Sequence, residues 1–198
     1  MRSCYVILTF VLMMFAGTAF GQNTPPNTGT PLLRLKKGFI ALSANPPLES
    51  RSCVVVNVNG EVYIEKRSHV IIPKSQAHLE VLEGQLTDDQ FSNLSALLAN
   101  PDLAGISDGG LIHPPGDSTN LAWITAEIQR GSSRQEIDYR YWGRYWKSTS
   151  TEYDNAPPAY ITLQKARLST LTPLAKWYES LDLSQFHAAE FEPGECMP

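Results

Sequence analysis

The clearest pattern along the chain is a pair of β-branched runs, "CVVVNV" and "EVYIEK", separated by Asn59-Gly60. Asn-Gly best tolerates the positive φ angles of a type I′ turn, so the stretch predicts a hairpin. Pairing about a two-residue turn sets Val55 opposite Ile64 and Val56 opposite Tyr63. Apolar side chains then fall on both faces, with Val55, Val62 and Ile64 on one and Val54, Val56, Val58 and Tyr63 on the other. One face is expected on the core and the second only partly covered.

Further elements follow from period and punctuation. "LLRLKKGFIAL" is a candidate first strand, interrupted by "SANPPLES", and "HLEVLEGQL" alternates through Leu79, Val81 and Gln85 as another strand. "LTDDQF" starts a helix: Thr87 caps it, Gln90 reaches back, Leu86 packs on Phe91, and Phe91, Leu94, Leu97 and Leu98 form the buried stripe up to Asn100-Pro101. A long Gly/Pro/Asp/Ser loop, "AGISDGGLIHPPGDSTN", comes next. "LAWITAEIQ" and "QEIDYRYW" flank "RGSSR" as a second hairpin, with Ala122, Ile124, Ala126 and Ile128 on one face. If Ile137, Tyr139 and Tyr141 share a face, Arg140 and Trp142 point the other way. After Pro157-Pro158, Tyr160, Leu163, Leu168 and Leu171 suggest an amphipathic helix, which Thr172-Pro173 either kinks or follows with a second helix carrying Leu174, Trp177, Tyr178 and Leu181. The expected fold is α+β: a mainly antiparallel sheet of two hairpins plus additional strands, with two or three helices on one face.

The start of the chain changes the picture. "MRSCYVILTFVLMMFAGTAFGQ" holds one Arg, an apolar run and then small residues, the layout of a secretory signal ending at Gly21. The apolar run is short of the roughly 20 residues a spanning helix needs, so no membrane span is expected after cleavage. Residues 22–48 read as a Pro/Asn/Thr-rich flexible leader with the candidate first strand, residues 49–187 as a single domain, and residues 188–198 as a tail. The location implied is exported, periplasmic or extracellular.

With 16 Lys and Arg against 20 Asp and Glu the net charge is −4, and loss of Arg2 with the signal makes it more negative. Nucleic acid is therefore not expected as a partner, since a binder needs excess cations to displace condensed counterions. Cleavage leaves Cys53 and Cys196. In an oxidising compartment the two can bridge, remain as thiols or pair between chains, and the sequence leaves these open.

Three groups of residues carry candidate chemistry. "YRYWGRYWKS" packs five aromatic rings and three cations into ten residues, and Arg140, Trp142, Arg144, Tyr145 and Trp146 could stack on sugars or grip an acidic or aromatic ligand. β-propensity offers a structural account of the same residues. In the 108–118 loop, Ser118, His113 and Asp117 or Asp108 would make a nucleophile, base and orienter, but the sequence lacks the G-x-S-x-G elbow, and loop chemistry explains "HPPGDS" better. Metals and cofactors are not expected: His69, His78, His113 and His187 lie apart, without H-x-x-x-H or C-x-x-C spacing. No spacing singles out a catalytic pair among Glu61, Glu65, Glu80 and Glu83, which read as solvated strand positions.

Taken together, "VVVNVNGEVYIEK", "LTDDQFSNLSALL", the "DGG...GDSTN" loop, "AWITAEIQ" with "EIDYRY" and the Pro-led terminal helix resemble small exported bacterial domains of unknown function over roughly residues 50–185. The resemblance implies a two-layer α+β fold and no assigned catalytic residues. The function expected is a non-enzymatic module that binds a protein or cell-envelope component through the aromatic and basic segment. A hydrolase using the 108–118 loop is the alternative.

Overall fold

The computed structural model describes residues 30–73, 75–106, 120–143 and 158–189. The strands are β1 (Pro31–Ala41), β2 (Leu48–Asn57), β3 (Glu61–Val70), β4 (His78–Gln85), β5 (Asn120–Arg130), β6 (Ser133–Gly143) and β7 (His187–Ala188). They form one sheet in the order β6-β5-β1-β2-β3-β4-β7, and every pairing is antiparallel. Helices α1 (Asp88–Leu98), α2 (Pro101–Ala104) and α3 (Pro158–Glu179) make the fold α+β. The candidate first strand lies in the interior of this sheet, because β1 pairs with β2 along one edge and β5 along the other.

The first hairpin forms as predicted but in a different register. Val54 faces Ile64, Val55 faces Tyr63 and Val56 faces Val62, one step from the pairing a two-residue turn would give. The Gly60 N–H donates to the Asn57 carbonyl at 3.0 Å, and Gly60 has φ +82°. No other residue type among the described residues has positive φ, so Asn59 does not adopt the conformation a type I′ turn requires. The connection is instead the three residues Val58-Asn59-Gly60, with Gly60 in the left-handed region. A one-residue slip exchanges the faces of one strand relative to the other. Val54, Val56, Val62 and Ile64 therefore all join one core, and Val55 and Tyr63 belong to a separate cluster with Cys53.

The second hairpin forms, but with a shorter connection than the expected "RGSSR". Gly131-Ser132 connects Arg130 to Ser133, and Ala126 faces Ile137, Ile124 faces Tyr139 and Ala122 faces Tyr141.

In α1 the capping box is complete: the Gln90 N–H donates to Thr87 Oγ1 at 3.2 Å and the Thr87 N–H to Gln90 Oε1 at 2.9 Å. Two orphan donors are thereby satisfied reciprocally. Leu94 and Leu98 are buried, with Phe91 and Leu97 packed partly buried against the same core.

Of the two alternatives at Thr172-Pro173, the chain takes the single helix, which runs through Pro173, but Leu168, expected in its buried stripe, is exposed. The expected Leu171, Leu174, Trp177 and Tyr178 are buried, and with them Ala175 and two polar residues, Gln164 and Arg167, which precede Leu171 and Leu174 at three-four spacing. An apolar-only reading of the stripe misses them. Packing of Leu171, Leu174 and Tyr178 outweighs the one backbone bond that a proline removes.

Polar side chains tie the helices to the second hairpin and to one another. Arg130 donates to the carbonyl of Leu98, at the end of α1 where a cation complements the helix dipole. Its Nε donates to Gln135 Oε1 at 2.9 Å, and buried Gln135 donates through Nε2 to the carbonyls of Leu103 at 2.8 Å and Ile106 at 3.0 Å. Arg167 donates to the Asp138 carbonyl at 3.0 Å, and Trp177 Nε1 to the Gln90 carbonyl at 3.2 Å.

Candidate functional site

Side chains alternate across a strand, so Leu33 and Leu35 in the large core leave Arg34, Lys36 and Gly38 on the opposite face of the sheet. Cross-strand registry then sets a row of residues side by side on that face: Arg140, Trp123, Gly38, Arg51 and Arg67, from β6, β5, β1, β2 and β3. Gly38 is what admits the aromatic ring. A Cβ there would lie 2.3 Å from Trp123 Cζ2 and 2.8 Å from the Ser50 carbonyl oxygen, closer than atoms approach. The Arg51 guanidinium lies 5.7 Å from the Trp123 ring centroid, a cation–π arrangement.

Two cations of this row, Arg51 and Arg140, are held by neighbouring acids. Arg51 pairs through Nε with Glu49, which also meets His69 Nε2 at 3.5 Å. Arg140 Nε lies 3.2 Å from Asp138 Oδ2, whose other oxygen accepts from Thr125 Oγ1 at 3.1 Å. Arg51 and Arg67 face one another directly, a like-charge pair that costs stability in a sheet.

A second cluster lies further along the same face, where β1, β5 and β6 converge on the Glu127 carboxylate. Arg34 reaches it at 3.2 Å and Lys36 at 3.9 Å, and Arg134 pairs with it from β6. Pro31, Arg34, Glu127, Gln129 and Arg134 line a pocket of about 100 Å³. Burial, then repulsion from Arg34 and Arg134, lowers the Lys36 pKa from its ordinary value, with Glu136 opposing.

Glu65 does not occupy a solvated strand position. It is fully buried between Cys53 and Val81 in the sheet register, and neither carboxyl oxygen has a hydrogen-bond partner among the described residues. Glu80, by contrast, is partly exposed and pairs with Lys66 at 3.3 Å.

Of the binding residues read from the sequence, Arg140 lies in the aromatic row, and Trp142 takes the register position opposite Leu121. Arg144, Tyr145 and Trp146 lie outside the described residues, as do Asp108, His113, Asp117 and Ser118. Cys53 is fully buried and disulfide-bonded, and Cys196 lies outside the described residues. Sequence reasoning missed Gly38, Trp123 and Arg51, and also the convergence on Glu127. A glycine inside a strand signals close approach, and that was the available clue to Trp123.

Among the described residues, no group of three His, Cys, Asp or Glu is placed to hold a metal ion, and no helix is long and apolar enough to cross a membrane. Chemically, this face offers a stacking surface, fixed cations and hydrogen-bond donors, the tools of recognition. No family model matches the chain, and neither does any curated protein.

Proposed function

We propose that the chain is an exported, non-enzymatic binding module that recognises a protein partner or cell-envelope component. Its helices cover one face of the sheet, and recognition uses the other. The observation that carries this reading is the row in which Trp123, seated over Gly38, lies between Arg140 and Arg51. A Trp face flanked by guanidinium groups suits a ring-bearing or acidic ligand, because stacking and charge act on the same contact. Trp142, two residues beyond Arg140 on β6, extends the segment that the sequence singled out.

The test is retention of the purified protein on envelope polysaccharide and on candidate exported partners, comparing wild type with Arg140→Glu and Trp123→Ala at matched thermal midpoints. Both variants are expected to lose retention while staying folded. Equal retention by folded Arg140→Glu and Trp123→Ala would rule this surface out.

A further inference from the structure

We propose that the pocket between Arg34, Glu127 and Arg134 is a binding site for a small oxyanion, the carboxylate or phosphoryl group of an acidic ligand. Three cations from two strands meet at one carboxylate: Arg34 and Lys36 from β1 and Arg134 from β6, all reaching Glu127 of β5. A structural bridge for the β5–β6 hairpin needs only Glu127 and Arg134. The two further cations repel each other and Arg134, a cost that a second anion in the pocket would relieve.

The charge count points the same way. Among the described residues, Glu127 neutralises one of the three cations and Glu136 is the other acid acting on Lys36, which leaves positive charge in excess there. Donors are in excess too. Each guanidinium presents five N–H groups in a planar fork. Glu127 engages Arg34 through Nη1 and Arg134 through Nη2, while Arg34 Nε is buried without a partner among the described residues. The pocket, at about 100 Å³, has the room of roughly three water molecules, enough for one carboxylate or phosphoryl group. Planar guanidinium pairs bind such groups in bidentate fashion. The inference stands apart from the Trp123 row, because none of its residues belongs to that row.

The experiment follows the arginine side-chain Nε–H resonances of the intact protein during titration with inorganic phosphate, with glucuronate, and with glucose as the neutral control. Saturable shifts of the Arg34 signal with at least one anion and not with glucose are expected. A response to phosphate alone assigns a phosphoryl ligand, and one to glucuronate a carboxylate. Exposed Arg134→Gln should weaken binding by about tenfold, the scale of one charge-assisted hydrogen bond. Glu127→Gln removes the resident competitor, and anion binding should strengthen. Absence of saturable shifts in wild type and both variants, or an equal response to glucose, would show that the cluster only braces the sheet.

Discussion

The Trp123 ring occupies the space that a side chain on Gly38 would fill, its Cζ2 lying 2.3 Å from where a Cβ would stand. The two residues are direct cross-strand partners, so the ring cannot give way without leaving the row. Adding a methyl group in Gly38→Ala must push the ring off the sheet or strain the backbone near the Ser50 carbonyl. A loss of about 1–3 kcal/mol is expected, the usual cost of overpacking. Urea denaturation gives the stability and tryptophan emission reports the ring's surroundings. An alanine variant with unchanged stability and emission would mean that the ring is not seated there.

The disulfide at Cys53 has a measurable consequence. Cys53 is buried in the centre of β2 and bonded, and Cys196 is the partner expected after removal of the signal. Peptide mapping without reductant should join fragments holding Cys53 and Cys196. Replacing both by alanine should lower stability by on the order of 4 kcal/mol, the scale for closing so long a loop. Recovery of Cys53 linked to a second chain would reassign the bond.

Much of the fold was legible because its signals are local. Thr87 and Gln90 lie three residues apart and announce α1 by themselves. The strands around Gly131-Ser132 pair as their alternation requires. What stayed hidden depends on pairings far apart in sequence or on a turn type that composition does not fix. Asn59-Gly60 marks a hairpin but not whether the loop holds two or three residues, and that single residue moves Val55 to the opposite side. The proposed binding face requires β1 beside β5, so Arg34 and Glu127, distant in the chain, give no joint signal before the sheet is assembled. Gln164, Arg167 and Glu65 escaped because buried polar residues look like surface to any reading based on hydropathy.

Gln135 illustrates the same point and can be tested. Its buried amide donates to the carbonyls of Leu103 and Ile106, closing the end of α2 against the hairpin. Gln135→Leu keeps the volume but removes the donor, leaving carbonyls buried without partners. A loss of about 1–3 kcal/mol is expected, with faster amide exchange in the α1–α2 region. If Gln135→Leu matched wild type in both measurements, water would have to be serving those carbonyls equally well.

Alkaline pH should weaken the fold through Tyr178. Burial pushes its phenol up to about 12 from 10.0, with Ser52 opposing and Glu80 and Glu179 adding to the rise. The ring packs in the main core under Lys37, whose Nζ lies 5.3 Å from its centroid. The folded state thus keeps a proton that the unfolded chain releases above its own pKa. That contribution is fully present below pH 10.0 and is lost as pH rises through about 12. The whole effect is about 2–3 kcal/mol for a shift of this size. Tyr178→Phe has no proton to lose, so its stability should fall less steeply than wild type across this range, as chemical denaturation at stepped pH would measure. Parallel curves for the two proteins would mean that the hydroxyl reaches solvent and titrates normally.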